Sequence, residues 1–260
     1  MTLLERARSG QPLADLNIID MHGHLGRYYF AIPDISPDGL VAAMDCIGIS
    51  KILCSHFSSI SGECAMGNSD VLAAIRAWPG RIEGYITVWP SSAEDVAAET
   101  DRCLTAGFIG LKLHNNNEFP YTDPAYAPAL ARANERCMPV LLHTWGKEQE
   151  FQELRQLSQA YPDISILAAH AGSAREDDYA RIARDCENVY LDTPASWAPR
   201  GLIDRLVEKA GAHRVVFGSD AVFLSMTQQI GRVLGACVSD EDKLAVLSKN
   251  AARILGRVQR

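Results

Sequence analysis

Short apolar segments recur along the chain, and most are followed by a segment whose apolar positions have the spacing of a helix. The first is Asn17-Ile18-Ile19-Asp20-Met21-His22-Gly23-His24. We predict eight strands, at residues 17–24, 51–57, 82–89, 108–114, 139–145, 164–170, 189–194 and 214–220. Short apolar segments bounded by turn signals are typical of strands buried in a parallel sheet.

The intervening segments are predicted as helices. They cover residues 36–48, 93–106, 124–137, 148–160, 176–186 and 202–210, with another that ends at 75 and a helical tail from 226 that is amphipathic over 240–255. Residues 58–67 are predicted as a polar loop. Ser36 followed by Pro37 favours a helix start, because serine caps the first turn and proline fits it.

Eight strand–helix repeats in 260 residues predict one domain over residues 1–260, with the (β/α)8 TIM-barrel fold. A doubly wound open sheet is the alternative, but it offers no reason for eight even repeats. No segment has the composition of a linker, so a second domain is not expected.

Composition and charge exclude several classes of protein. The net charge of −7 disfavours a nucleic-acid-binding surface, and no apolar run approaches the roughly 20 residues that cross a bilayer. Residues 1–11 lack the apolar core of a signal peptide. The seven cysteines are scattered and form no C-x-x-C pair, which is typical of reduced thiols. We therefore expect a cytoplasmic protein that acts on a small molecule.

The histidines fall at one end of the predicted strands. Six of the seven lie where a strand ends, namely His22, His24, His56, His114, His143 and His170, and Asp220 closes the eighth strand. Only His213 precedes a strand. Active sites of TIM barrels lie at the C-terminal ends of the strands, and imidazoles with a carboxylate suit Zn²⁺. The sequence therefore predicts a metal site at this end of the barrel.

Strand alternation places Asp20 on the same face as His22 and His24. We interpret Asp20 as a carboxylate that holds one of these imidazoles, with a buried structural aspartate as the alternative.

Several motifs, in order along nearly the whole chain, resemble the amidohydrolase superfamily. They are Asp20-Met21-His22-Gly23-His24, Gly110-Leu111-Lys112-Leu113-His114, Leu142-His143, Ala169-His170-Ala171-Gly172 and Phe217-Gly218-Ser219-Asp220. The tail Asn250-Ala251-Ala252-Arg253-Ile254-Leu255-Gly256 resembles the amidohydrolase-related branch, which contains decarboxylases. The chain departs from many relatives at Ala221-Val222-Phe223, where they carry an aromatic residue followed by proline.

The resemblance implies a set of metal ligands: His22, His24, His143 and Asp220. It implies Zn²⁺ first, with Mn²⁺ or Co²⁺ as alternatives, and leaves one metal or two open. With two metals, His170 and Lys112 would join the ligands, and Lys112 would be carboxylated to bridge them. An unmodified Lys112 would instead neutralise an acidic substrate or pair with Asp220.

The resemblance also implies an activity and a state of assembly. We expect a metal-dependent hydrolase that uses metal-activated water on an amide, ester or lactone, with Asp220 accepting a proton and His170 as the second catalytic residue. The first alternative is a non-oxidative decarboxylase of a small aromatic carboxylic acid. Less favoured are a TatD-like metal-dependent deoxyribonuclease and a non-catalytic barrel. A homodimer is a family-level expectation.

Substrate-binding residues are expected among polar and aromatic side chains on the loops that follow the strands. We predict His114, Arg27, Trp145 and His56 in this role. Further candidates on the same rim are Tyr28, Trp89, Asn115, Arg175, Trp197 and Phe223.

Overall fold

The computed structural model describes residues 1–260 and contains one sheet of eight parallel strands in the order β1 to β8. The strands are β1 (Ile18–Leu25), β2 (Ile49–His56), β3 (Ile82–Thr87), β4 (Gly110–Leu113), β5 (Pro139–Leu142), β6 (Ser165–Ala168), β7 (Val189–Asp192) and β8 (Val215–Val216). Each of the eight predicted strands is present, and the TIM-barrel prediction is confirmed. Most strands are shorter than predicted, so His114, His143, His170 and Asp220 lie just beyond strand ends.

The barrel closes where the segment around β8 meets β1. The backbone N–H of Met21 donates to the carbonyl of Phe217 at 2.9 Å, and that of Asp220 donates to the carbonyl of His22 at 2.7 Å. A parallel bridge between Gly23 and Ala221 continues this contact. The first and last strands therefore meet at the level of the predicted metal site.

Twelve helices accompany the strands. They are α1 (Leu3–Arg8), α2 (Pro37–Ile47), α3 (Phe57–Ile60), α4 (Cys64–Ala77), α5 (Ala93–Thr105), α6 (Ala127–Glu135), α7 (Glu148–Ala160), α8 (Glu176–Asp185), α9 (Leu202–Ala210), α10 (Met226–Leu234), α11 (Asp240–Leu244) and α12 (Asn250–Leu255). Short 3-10 segments lie at Ala14–Leu16, Asn115–Asn117, Pro124–Tyr126 and Ala212–Arg214, and a π-helical turn at Ala245–Lys249. None of the helices has both the length and the apolar character to cross a bilayer.

Two of these helices were not predicted. In α1, Thr2 and Glu5 form a capping box: the Thr2 hydroxyl accepts from the Glu5 N–H at 3.2 Å, and a Glu5 carboxylate oxygen accepts from the Thr2 N–H. Residues 58–67, predicted as a loop, contain most of α3 and the start of α4. The His56 ring caps α3 by accepting from the Ser58 N–H at 3.2 Å.

The hydrophobic core has two layers, as alternation along the strands requires. In β5, Val140 and Leu142 belong to the large outer layer between strands and helices, and Leu141 points into the barrel. The inner layer contains Ile19, Met21, Leu53, Tyr85, Ile109, Leu141, Leu167, Ala169, Tyr190 and Val216, together with Ala251 and Ile254 of α12. Helix α12 therefore contributes side chains to the barrel interior.

An extra residue in β1 changes the face to which its side chains point. Asp20 pairs with Ile52 of β2 and Gly23 pairs with Cys54, so two residues of β1 stand opposite one of β2. Ile19 and Met21 point into the barrel below this bulge, and His22 and His24 line its upper end. Bulges of this kind re-aim side chains next to active sites.

Replacement of Ile254 by alanine tests the contribution of α12. Ile254 is 1% exposed and packs in the inner layer, so Ile254→Ala should lower the free energy of unfolding by about 2–5 kcal/mol in urea titrations. Ala252→Ser, on the exposed side of the same helix, is the control and should change stability by less than about 0.5 kcal/mol. Equal stability of the two variants would show that α12 does not seal the barrel.

Candidate functional site

His22, His24 and Asp220 form a compact buried group at the C-terminal end of the strands. One ligand atom from each lies within 4.8 Å of the other two. Oδ1 of Asp220 is 3.4 Å from Nε2 of His22 and 3.0 Å from Nε2 of His24. Two imidazoles and a carboxylate at this spacing could hold a divalent metal ion.

Asp192, at the end of β7, fixes the tautomer of His22. Its Oδ2 lies 2.7 Å from Nδ1 of His22, and both side chains are fully buried. A carboxylate only accepts, so Nδ1 carries the proton and Nε2 presents its lone pair. Burial, with the nearby Lys112 charge, holds the pKa of His22 well below its ordinary value. His22 is therefore a neutral imidazole with Nε2 turned toward Asp220, as a metal ligand must be.

Two neighbours position His24. Its Nδ1 lies 3.0 Å from the hydroxyl of Ser55, at the end of β2, and its ring stacks on Phe57 with centroids 4.6 Å apart. Burial lowers the pKa of His24 below its usual value. His24 thus also presents a neutral ring to Asp220.

His143 and His170 form a hydrogen-bonded chain beside this group. The carbonyl of Pro194 accepts from Nδ1–H of His170 at 3.0 Å, which leaves Nε2 of His170 to accept from Nδ1–H of His143 at 3.1 Å. Burial is the main cause that lowers both pKa values. The remaining atom, Nε2 of His143, is buried without a hydrogen-bond partner. That unpaired nitrogen fits a metal ligand, because it has a lone pair and no protein donor.

The charges at this end of the barrel fit a bound cation. The carboxylates of Asp20, Asp192 and Asp220 are buried, and the one buried ammonium close to them is that of Lys112. Burial raises the pKa of Asp20 to about 7 and that of Asp192 well above its ordinary value. Burial works in the same direction on Asp220, but the hydrogen bond from His24 and the nearby charges of His24, His170 and Lys112 together outweigh it and lower the pKa of Asp220. Ionised carboxylates are therefore unfavourable here without a compensating positive charge, which a divalent cation would supply.

Lys112 lies inside this site. It is fully buried on β4, and its Nζ is 3.4 Å from Nε2 of His22. Burial lowers its pKa to about 8, although Asp220 and Asp192 act in the opposite direction. Lys112 and Asp220 form no ion pair. Carboxylation of Lys112 and contact with an acidic substrate both stay predictions.

The two residues predicted as catalytic share an unusual backbone conformation. His170 has φ of 59° and Asp220 has φ of 58°. Left-handed backbone at a residue other than glycine costs of order 1–3 kcal/mol and is common at functional sites. Both strained positions follow strand ends, where they turn the side chain toward the group of ligands.

The structure corrects the interpretation of Asp20. Because of the β1 bulge, Oδ1 of Asp20 accepts from the backbone N–H groups of His22 and Ser219, at 3.1 and 2.9 Å, and holds no imidazole. Asp192 has the role expected of Asp20. Its position at the end of the seventh predicted strand was a signal in the sequence that could have identified it.

The four predicted substrate-binding residues lie on different parts of the rim. His114 stacks on His143 with centroids 4.0 Å apart, and the edge of Trp145 meets the same ring at 4.2 Å. His56 is turned away, with its Nδ1 2.6 Å from the Ser58 hydroxyl and its Nε2 3.6 Å from Asp70. Arg27 is exposed and forms no ion pair. The structure brings His114 and Trp145 against His143, one of the predicted metal ligands. The substrate-binding role of all four residues stays a prediction.

Aromatic side chains also lie beside His24, on the side of the site away from Trp145. Phe57, which stacks on His24, is 4.9 Å from Tyr28 and 6.5 Å from Phe223 between ring centroids. Tyr28 and Phe30 each contact Phe223 at 5.2 Å. The mouth of the barrel is therefore aromatic both beside β1 and beside β5.

Comparison with known families identifies the chain. Residues 19–257 match the family model described as Amidohydrolase. The chain belongs to this amidohydrolase family. The resemblance noted in the sequence is therefore confirmed, and the protein is an enzyme of the amidohydrolase superfamily.

Several of the proteins to which the chain is similar are decarboxylases. The γ-resorcylate decarboxylase of Rhodococcus jostii (strain RHA1) is 23% identical over 246 residues, covering 72% of this amidohydrolase and 74% of the relative. The crystal structure of a 2,6-dihydroxybenzoate decarboxylase with 2,6-dihydroxybenzoate has a TM-score of 0.75 at 15% identity, covering 92% of this chain and 99% of that one.

A second similar structure contains a metal. It is a 5-carboxyvanillate decarboxylase from Novosphingobium aromaticivorans in complex with manganese and 4-hydroxy-3-methoxy-5-nitrobenzoic acid. Its TM-score is 0.72 at 15% identity, with 95% of this chain and 98% of that chain covered. The sequence favours hydrolysis and zinc first, and these relatives support neither specifically.

Replacement of Gly218 by alanine tests the contact between Asp192 and His22. A Cβ at Gly218 would clash with Oδ1 of Asp192 and stand 2.7 Å from Cβ of His22, so Gly218→Ala should displace one of them. Loss of a carboxylate that orients a metal-binding histidine typically costs 10–100-fold in affinity, and we expect roughly that loss for Mn²⁺ in calorimetric titrations.

Gly231→Ala is the matched control, because a Cβ there meets nothing within 4 Å. This helical substitution should leave Mn²⁺ affinity unchanged. Wild-type affinity in Gly218→Ala as well would contradict the role given to Asp192.

Proposed function

We propose that this amidohydrolase is a metal-dependent, non-oxidative decarboxylase of a small aromatic carboxylic acid such as a hydroxybenzoate. The observation that carries the proposal is a buried group of metal-binding side chains with aromatic rings on both sides. Phe57 covers His24, and Trp145 meets His143. Flat rings of this kind suit an aromatic substrate, since aromatic pairs favour stacked and edge-to-face contacts.

The proposed metal ligands are His22, His24, Asp220 and His143. The first three are already mutually close, and His143 has the buried, unpaired Nε2. Manganese in two decarboxylases of similar fold supports Mn²⁺ ahead of zinc and cobalt. A divalent cation bound there would supply positive charge to hold the substrate carboxylate.

The protein side chains supply proton transfer and exclusion of water. In non-oxidative decarboxylation the bond between the ring and the carboxyl carbon breaks, CO2 leaves, and a proton takes its place on the ring carbon. Asp220 and His170 are the proposed carriers of that proton, since both lie in the segments that follow strand ends, beside the proposed ligands. His170 must release its contact with His143 to act in this way, because both its ring nitrogens are engaged.

Hydrolysis of an amide, ester or lactone becomes the second candidate. The same buried ligands would serve it, but the curated relative and the similar structures described above support decarboxylation better. Substrate profiling separates the two, because only decarboxylation releases CO2 from an aromatic acid.

Metal removal and reconstitution test the proposal directly. Protein treated with a chelator should lose CO2 release from hydroxybenzoates, and Mn²⁺ should restore it. CO2 is measured by a coupled assay and the ring product by chromatography. Amides, esters and lactones are tested in parallel on the same preparation. Turnover of those compounds without CO2 release from any aromatic acid would replace the proposal by hydrolysis, and full activity without metal would refute both.

Two substitutions separate the roles of Asp220 and His170. Asp220→Asn keeps the shape but removes charge and basicity, so turnover should fall by at least the ~10²–10⁴-fold typical of acid–base catalysis. His170→Asn should lower turnover without changing metal content if the site holds one metal. With two metals bridged by carboxylated Lys112, it should lose about one metal per chain.

The matched control is His213→Ala. His213 is exposed and lies before β8, at the opposite end of the barrel, so the variant should keep wild-type kcat and metal content. Wild-type kcat in Asp220→Asn would refute its role as a proton carrier.

A further inference from the structure

Trp145 combines high exposure with a fixed position. Its side chain is 56% exposed, yet its indole N–H donates to Oδ1 of Asn115 at 3.0 Å and its backbone N–H donates to Oε2 of Glu150 at 2.8 Å. An exposed tryptophan ordinarily leaves its N–H to water. Here the indole N–H is bonded within the protein, although the residue as a whole is highly exposed.

Glu150 connects the contacts of Trp145 into a closed set. Its Oε1 accepts from Nδ2 of Asn115 at 2.8 Å, so Trp145, Asn115 and Glu150 are each bonded to the other two. Glu150 belongs to α7, and Asn115 follows β4. The three residues, which we call the Trp145 clamp, therefore join the loops after two neighbouring strands, β4 and β5.

The burial of Glu150 is unusual for a residue beside the mouth of a barrel. Glu150 is 3% exposed and has no ion-pair partner. Three N–H groups satisfy its carboxylate, those of Asn115, Trp145 and Lys147, the last at 2.9 Å. The bond to Lys147 is ordinary capping of α7, but the bonds to Asn115 and Trp145 have no role in starting that helix. Burial of a carboxylate costs free energy. A role in fixing Asn115 and Trp145, whose ring is exposed, would explain why Glu150 is buried here.

We propose that Glu150 and Asn115 are positioning residues that hold the indole of Trp145 as a rigid wall for the aromatic ring of the substrate. The proposal rests on the proposed function, since it names the part of the site that selects an aromatic acid. The ring centroids of Trp145 and His143 are 4.2 Å apart, so Trp145 lies beside one of the proposed metal ligands. A wall already held in its binding position loses little conformational entropy when the substrate arrives, so it strengthens binding.

The test measures binding separately from turnover. Wild-type protein and its variants are loaded with Mn²⁺ and titrated with 2,6-dihydroxybenzoate by calorimetry, and KM and kcat are measured for the aromatic acid turned over fastest. Glu150→Gln replaces one accepting oxygen by an NH2 group, and Asn115→Ala removes the contact to the indole. Both should weaken binding and raise KM by roughly three- to tenfold, with a smaller change in kcat.

A double variant distinguishes positioning from general stability. In a Trp145→Leu background the ring is absent, so Glu150→Gln should weaken binding no further. Glu153→Gln is the matched control, because Glu153 is also buried on α7 but accepts from Tyr121 N–H and Gln149 and not from Trp145. It should leave binding and KM unchanged, even where it lowers the melting temperature.

The outcomes separate this proposal from the proposed function. Weaker binding in Glu150→Gln and Asn115→Ala, absent in the Trp145→Leu background, supports the Trp145 clamp even if no acid is decarboxylated. Decarboxylation with wild-type binding and KM in both variants overturns the clamp and leaves the function standing. Equal losses with and without Trp145, or in Glu153→Gln, also overturn it. Should Glu150→Gln not fold, the partly exposed Asn115→Ala carries the same comparison.

Discussion

Three carboxylates buried at one end of the barrel, those of Asp20, Asp192 and Asp220, impose the constraint that the rest of the site obeys. Uncompensated negative charge in such a place costs several kcal/mol, and Lys112 compensates only part of it. Burial holds His22 and His143 neutral, and each has a proton-free Nε2. The backbone hydrogen bonds, the ring tautomers and the left-handed residues after the strands thus all fit a cation bound among these side chains.

Much of this arrangement could be predicted from the sequence, because it depends on periodicity. Strand alternation and the regular spacing of helices located all eight strands, and therefore the end of the barrel at which His22, His24 and Asp220 meet. In β4, Leu111 and Leu113 pack in the outer layer, so Lys112 between them points into the barrel. These predictions succeed because burial on both faces of a parallel strand leaves few alternative registers.

The remaining features depend on contacts between segments distant in sequence. The β1 bulge appears only when β1 is paired with β2. With this bulge, Asp20 accepts hydrogen bonds from backbone N–H groups, and the ring of His22 is bonded instead to Asp192, 170 residues away. The hydrogen bonds from Asn115 and Trp145 to Glu150 could not be predicted from the sequence either, because a glutamate near the start of a helix is common and ordinarily caps that helix. Sequence periodicity identifies faces, whereas hydrogen-bond partners across the barrel require the register of the whole sheet.

The position of the proposed ligands at the junction of β1 and β8 has a consequence for the stability of the closed barrel. His22 and His24 lie near the start of the chain and Asp220 near its end. Few backbone hydrogen bonds join β1 to the segment around β8, so an ion bound by these side chains would add a link between the two ends of the sheet. Because such an ion would bind the closed ring and not the unfolded chain, it would raise the free energy of unfolding. The fold and the proposed site would then stabilise each other.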